Sequence, residues 1–342
     1  MKKLGRLTAV VVCLCFLAAN LVWSGCSAEI DDTGKSSPES LISEFYKKKA
    51  VRILVTDSGL GGLSVAAEIE KRMESSGLFQ NVDIIFGNAL PSSNYLYNQM
   101  PSKEEKVTVF SAALTGMQST FKPDIILIAC NTLSVIYPET EFSRTTNIPV
   151  IDIVDFGVNL IKNELEADPD NNIVILGTPT TISQNSHREA LGPDSIRVIP
   201  QACDMLESEI QSDPNSDIVQ TMIEMYGWEA AGKFILGSND SLAVALCCTH
   251  YPYSSKLFKT QFEQIFDKSI KILDPNQEMS RFLFKPELEN RYDHTVVGVK
   301  VVSQAELSSE AINSISNIIR PISLKTADAL KNYELNKDLF RF

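Results

Sequence analysis

From Val51 onward, short apolar runs alternate with longer polar stretches that carry an apolar residue every three or four positions. This is the βα pattern of a mainly parallel sheet covered by helices. Strands are predicted at Val51–Thr56, Val82–Gly87, Asp124–Ala129, Pro149–Val154, Ile173–Gly177, Ile196–Ile199, Leu242–Cys247 and Ile270–Leu273, with a further candidate at Thr295–Ser303. Between the second and third, Val107, Phe110, Leu114, Met117 and Phe121 fall on one stripe behind Lys103-Glu104-Glu105-Lys106, which predicts a helix with a core-facing stripe. The fold class expected is α/β, with two similar βα domains, mainly parallel sheets and a site in the crevice between them.

In open α/β sheets ligands bind beyond the carboxyl ends of strands. Asp57, Cys130, Thr178 and Cys248 all sit at such ends. The two cysteines share a setting: each closes an apolar run (Ile125 to Ala129, Leu242 to Cys247) and is followed at once by a polar residue able to open a helix. The repeat suggests two thiols facing one ligand. Cys203 and Cys247 read as small buried side chains, and the acidic run around Glu207 and Glu209 as a solvated helix face. A Gly59-Leu60-Gly61-Gly62 loop lacks both the G-x-G-x-x-G spacing and the P-loop lysine, so a nucleotide role is not supported.

The N-terminus is a separate signal. Lys2, Lys3 and Arg6 precede an apolar stretch from Leu7 to Val22, closed by Ser24-Gly25-Cys26-Ser27. This reads as a signal peptide over residues 1–25, and its end resembles a bacterial lipoprotein processing site with Cys26 lipidated, although Trp23 stands where such sites carry an aliphatic residue. Residues 26–49, polar in composition, would then be a tether holding the protein outside the cytoplasm as a membrane-anchored lipoprotein at the periplasm or cell surface. The alternative is an uncleaved membrane anchor. The formal charge of −12 becomes −15 once the three leader cations are lost, which argues against nucleic acid as a partner. Of seven cysteines, four lie beyond the anchor. The adjacency of Cys247 and Cys248 is unlike a disulfide framework.

Three segments in order, Asp57-Ser58-Gly59-Leu60-Gly61-Gly62, Ala129-Cys130-Asn131-Thr132 and Cys248-Thr249-His250-Tyr251-Pro252, resemble the motifs of the aspartate/glutamate racemase superfamily, glutamate racemase most closely. The resemblance runs from about Val51 to Leu283. It implies racemisation at the α-carbon of an amino acid without cofactor or metal. Cys130 and Cys248 would abstract and return the proton, with Asp57 beside the first thiol and His250 beside the second. Ser58, Asn88, Asn131, Thr132, Thr178, Thr181 and Thr249 would hold the substrate, a small acidic amino acid with glutamate expected first. The implied domains are 50–150, completed by about 250–290, and 151–249. Residues 291–342 are left as a C-terminal extension without a role, and assembly into a homodimer is left open.

The chain departs from the family in places. Asn88 stands where the family has aspartate, Asp155 where it has glutamate, and Gln184 and His187 where it has serine and tyrosine. Substrate identity is therefore less firmly implied than reaction type. The competing readings are an aspartate or hydantoin-type racemase, a decarboxylase using one cysteine, which the cysteine pair disfavours, and a non-catalytic amino-acid-binding surface lipoprotein.

Overall fold

A computed structural model describes residues 37–342 apart from Asn239. The predicted signal peptide, the lipidation site Cys26 and the start of the tether lie outside the described residues. Among those described, no helix is long and apolar enough to cross a membrane.

Among the described residues, ten strands form two sheets in which every strand pairing is parallel. They are β1 Ala50–Asp57, β2 Asn81–Asn88, β3 Ile125–Ile128, β4 Val150–Asp152, β5 Asn171–Gly177, β6 Val198–Ala202, β7 Ser241–Cys247, β8 Ile270–Leu273, β9 Val296–Ser303 and β10 Glu334–Leu335. The first sheet runs β10-β9-β2-β1-β3-β4 and the second β6-β5-β7-β8. Central strands are buried on both faces, as the unbroken apolar runs require: Ile125 to Ile128 are all buried. The helix Lys103–Phe121 forms where its stripe predicts, capped by the Ser102 hydroxyl accepting from Glu105 N and burying Phe110, Leu114, Met117 and Phe121.

Strand order decides where a ligand can sit. In the first sheet the chain moves from β1 to β2 on one side and to β3 on the other. In the second it moves from β5 to β6 on one side and to β7 on the other. Each sheet therefore has its switch point, where the loops leave in opposite directions and open a crevice. Asp57 and Cys130 flank the first, Thr178 and Cys248 the second.

Several expected boundaries are corrected. The tether does not extend to residue 49, because Pro38–Lys47 is a helix whose Ser37 hydroxyl caps Ser40 N. Its Phe45 and Tyr46 are buried, with Phe45 edge-on to Phe79 at 5.2 Å and the Tyr46 hydroxyl donating to Leu283 O at 3.1 Å. Two adjacent buried aromatics outweigh the polar composition around them. The first domain is not completed from residue 250 onward: β8 pairs with β7 in the second sheet, and Phe258 and Phe262 of the helix Ser255–Phe266 fill that sheet's core.

The return comes later, with Met279, Leu283 and Phe284 in the first domain's core and β9 pairing with β2 from Asn81↔Val296 to Asn88↔Ser303. The segment 291–342 is thus an interior strand and its covering helices, not an extension. Its last residues are also core, since Leu339 and Phe340 are buried and a Cβ on Gly116 would meet Leu339 O at 2.2 Å. The first domain reaches Asp152, because β4 pairs with β3. Ile196 lies outside β6 and is 88% exposed.

Candidate active site

The two switch points face one small cavity, lined by Asp57, Ser58 and Gly59 after β1, Cys130, Asn131 and Thr132 after β3, Thr178 after β5 and Cys248, Thr249 and His250 after β7. Its volume is about 70 Å³, room for about two waters at the ~30 Å³ each occupies in the liquid. A nucleotide does not fit a space of this size. All four described cysteines are free, buried thiols.

Asp57 is fully buried and spends its oxygens on structure. Oδ1 accepts from Gly59 N at 3.0 Å, while Oδ2 accepts from Gly62 N at 2.8 Å and from the Thr249 hydroxyl at 2.7 Å. The last bond joins the two halves of the molecule. The approach is close enough that a side chain at Gly61 has no room: a Cβ would lie 2.4 Å from Thr249 Oγ1 and 2.8 Å from His250 N. Tyr253 OH donates to the carbonyls of Leu60 and Gly61, and Asn276 Nδ2 donates to Thr249 O and Ser64 Oγ. A further seam joins the hydroxyls of Thr132 and Thr178 at 2.8 Å.

The group touching the first thiol is Ser58, whose Oγ lies 3.1 Å from Cys130 Sγ. Asp57 acts on Cys130 through its charge. Burial pushes the Cys130 thiol up to about 12, the Asp57 carboxylate adds to this, and the Ser58 contact opposes it. Cys248 is pushed up as well, by burial first and then by the Glu207 carboxylate.

His250 Nδ1 lies 3.9 Å from Cys248 Sγ, and its Nε2 lies 3.0 Å from Gln211 Oε1. Burial holds the imidazole below its ordinary range, opposed by the Asp57 charge. It is therefore a neutral base.

Most sequence-predicted residues come together here, with differences in role. Thr181 does not line the cavity; its Oγ1 and N contact Thr178 Oγ1 from behind. Asn88 lines it, but Oδ1 accepts from Leu90 N and Nδ2 donates to Ser303 Oγ, which ties β2 to β9. Asn131 is buried with neither end of its amide bonded.

Asp155 is exposed and away from the cavity, so it does not replace a site glutamate. Gln184 and His187 are absent from the lining too. His187 is buried with a Cβ on Gly157 only 3.3 Å from its Nε2, and burial alone lowers it to about 4.

Sequence reasoning missed Tyr97 and Asn98, from the loop after β2, and Glu207 and Gln211 on the helix Leu206–Ser212. Glu207 is not on a solvated face: its Oε1 accepts from Asn98 Nδ2 at 3.0 Å, and its Oε2 is buried without a partner. Burial raises its carboxyl. The available signal was spacing, since Glu207 and Gln211 are four apart on a helix that follows the end of a strand.

No family model matches the chain. Among curated relatives it is 26% identical to glutamate racemase of Aquifex pyrophilus over 231 residues, 67% of this chain and 81% of the relative. It is 24% identical to that of Sulfurovum sp. (strain NBC37-1) over 291 residues, 81% of this chain and all of the relative. Two solved structures share the fold. Glutamate racemase from Francisella tularensis subsp. tularensis SCHU S4 in complex with D-glutamate gives a TM-score of 0.60 at 24% identity, covering 79% of this chain and 94% of that one. Escherichia coli glutamate racemase in complex with L-glutamate and the activator UDP-MurNAc-ala gives 0.55 at 17%, covering 80% and 96%.

Proposed function

We propose, on the premise that this chain belongs to the aspartate/glutamate racemase superfamily, that it is an isomerase racemising an amino acid at Cα with Cys130 and Cys248 as the two proton carriers. The observation that carries this reading is the pair of buried free thiols at matching strand ends on one cavity. Glutamate is the substrate named in its relatives and the reference compound for a first test.

The chemistry follows from the groups present. One thiolate takes the Cα proton and becomes a thiol, leaving the electron pair on Cα, delocalised into the α-carboxylate. The opposing thiol delivers its proton to the other face and becomes the thiolate. Atoms and charge balance, and the next turnover needs only proton exchange. With both thiols pushed up in the resting cavity, thiolate formation depends on a base and on the incoming ammonium. His250 Nδ1 supplies the base beside Cys248, and Ser58 Oγ supports the thiolate of Cys130. The backbone N–H groups of Asn131 and Thr132, at the start of the helix Asn131–Ser134, suit the α-carboxylate.

The test is to incubate the purified domain with L- and D-amino acids in deuterated water and follow loss of the Cα proton and inversion. Cys130→Ala and Cys248→Ala should each lower inversion by at least a thousandfold; normal turnover in either variant would overturn the assignment. The exported, lipid-anchored location remains a separate proposal supported by the leader and Cys26. A membrane-fraction protein released by Cys26→Ala would uphold it, and a cytoplasmic protein of full length would end it.

A further inference from the structure

Glu207 and Gln211 stand four residues apart on the helix Leu206–Ser212, so their side chains share one face. Gln211 Oε1 meets His250 Nε2 at 3.0 Å, which turns that face toward Cys248-Thr249-His250. Both residues line the cavity with Cys248, and Leu206 of the same helix packs in one buried cluster with Cys248 and Tyr251. A carboxyl group from a separate element is therefore set against the second thiol.

That carboxyl group is fixed in place. Lys106 Nζ donates to Thr180 Oγ1, whose hydroxyl donates to Asn98 Oδ1 at 2.8 Å. Asn98 Nδ2 is thereby left to donate to Glu207 Oε1 at 3.0 Å. Oε2 is buried without a partner, and Asp204 is a second carboxylate acting on the same group. A charge with no neutralising contact in a closed space acts strongly on any ionisable neighbour.

The two thiols feel different neighbours. Cys248 is faced by Glu207 from this helix, by Asp57 after β1, by Cys130 after β3, and by His250 and Tyr251 on its own turn. Among those charges Glu207 opposes the thiolate most, while the His250 backbone N–H favours it. Cys130 is faced by Asp57, Ser58 and Tyr97, and the charge acting on it is that of Asp57.

We infer that Glu207 is a positioning residue for Cys248: its buried carboxylate, held by Asn98, keeps this thiol protonated between turnovers without acting on Cys130. The inference rests on the two-thiol reading of the cavity and adds an asymmetry to it. Cys248 is inert at rest, because the thiolate and not the thiol reacts.

The experiment follows iodoacetamide alkylation from about pH 6 to 10, with Cys130→Ser and Cys248→Ser backgrounds isolating each thiol and peptide masses locating the label. Glu207→Gln keeps the shape and removes the charge. It should move the Cys248 profile down by about one unit or more and speed its alkylation about threefold or more at neutral pH. The Cys130 rate should change by less than about twofold. Glu207→Asp, which restores the charge, should bring Cys248 back toward the wild-type profile. Asn98→Leu should act in the same direction as Glu207→Gln, because a carboxyl without its donor holds its proton more readily; should Glu207→Gln fail to fold, this variant decides alone. An unmoved Cys248 profile overturns the inference, as does equal acceleration at both thiols, which would mean only that the cavity had opened. Alkylation needs no turnover, so a wild type that exchanges no Cα proton defeats the racemase reading while the two profiles still decide this one.

Discussion

Gln211 sets which nitrogen of His250 carries the proton. Gln211 Oε1 accepts Leu60 N–H at 2.8 Å, and a backbone N–H can only donate, so the atom there is the amide oxygen. The same oxygen lies 3.0 Å from His250 Nε2, which must therefore donate, leaving the Nδ1 lone pair toward Cys248. Gln211→Leu should lower kcat by about ten- to a hundredfold with little change in KM, through loss of that tautomer. Gln211→Glu should place a negative charge on the ring and raise its pKa. The acid limb of the kcat profile would then move up by about one to three units. A pH profile unmoved in Gln211→Glu would mean that His250 does not titrate in turnover.

The contact between Thr249 and Asp57 across the two halves makes a second prediction. Thr249→Val removes the hydroxyl that donates to Asp57 Oδ2, and Gly61→Ala pushes Thr249 away from it. Both should cost about 1–3 kcal/mol of stability, from a buried bond lost or a core overpacked. Both should also cut turnover by about a hundredfold, because the thiols are aligned only while the halves stay in register. Denaturant midpoints and exchange rates on the same samples check this. Full activity in a destabilised Gly61→Ala would detach the seam from the chemistry.

Alkali should destabilise the protein through its thiols. Cys130 and Cys247 are both pushed up to about 12, burial being the first cause in each. The unfolded thiol titrates at about 8.5. For a group whose folded pKa is raised, the stabilisation is complete below the unfolded value and is lost as pH rises through the folded one. Between about pH 9 and 12 each thiol should therefore lower stability by up to about 1.4 kcal/mol per pH unit. Cys247→Ala should flatten this slope by one thiol's share, read from urea midpoints across the window.

What the sequence made legible follows from where burial comes from. Cys130 and Cys248 were readable because their environment is local: a buried strand behind, a polar turn ahead. Glu207 was not, because its helix has an ordinary polar pattern and its burial is supplied by Asn98 from the other half. Asp155 was misread for the converse reason, sitting at a strand-to-helix turn that faces solvent. The C-terminal strand β9 looked peripheral because parallel pairing with β2 joins residues more than two hundred apart, a distance at which periodicity says nothing about partners.

Asp274 shows the opposite sign from an ordinary surface carboxylate. It follows β8 and caps the helix Pro275–Arg281, with Oδ1 accepting from Asn276 N at 3.0 Å, yet burial raises it to about 6. Its unfolded value is about 3.9. Stability is therefore fully present below that value and is lost as pH rises through about 6, so at neutral pH the carboxylate is a net cost. Asparagine keeps the capping oxygen and removes the charge. Asp274→Asn should raise stability at pH 8 by about 1–2 kcal/mol and change it little at pH 4. A variant less stable than wild type at pH 8 would show that the charged cap, through its bond to Asn276, outweighs the burial it suffers.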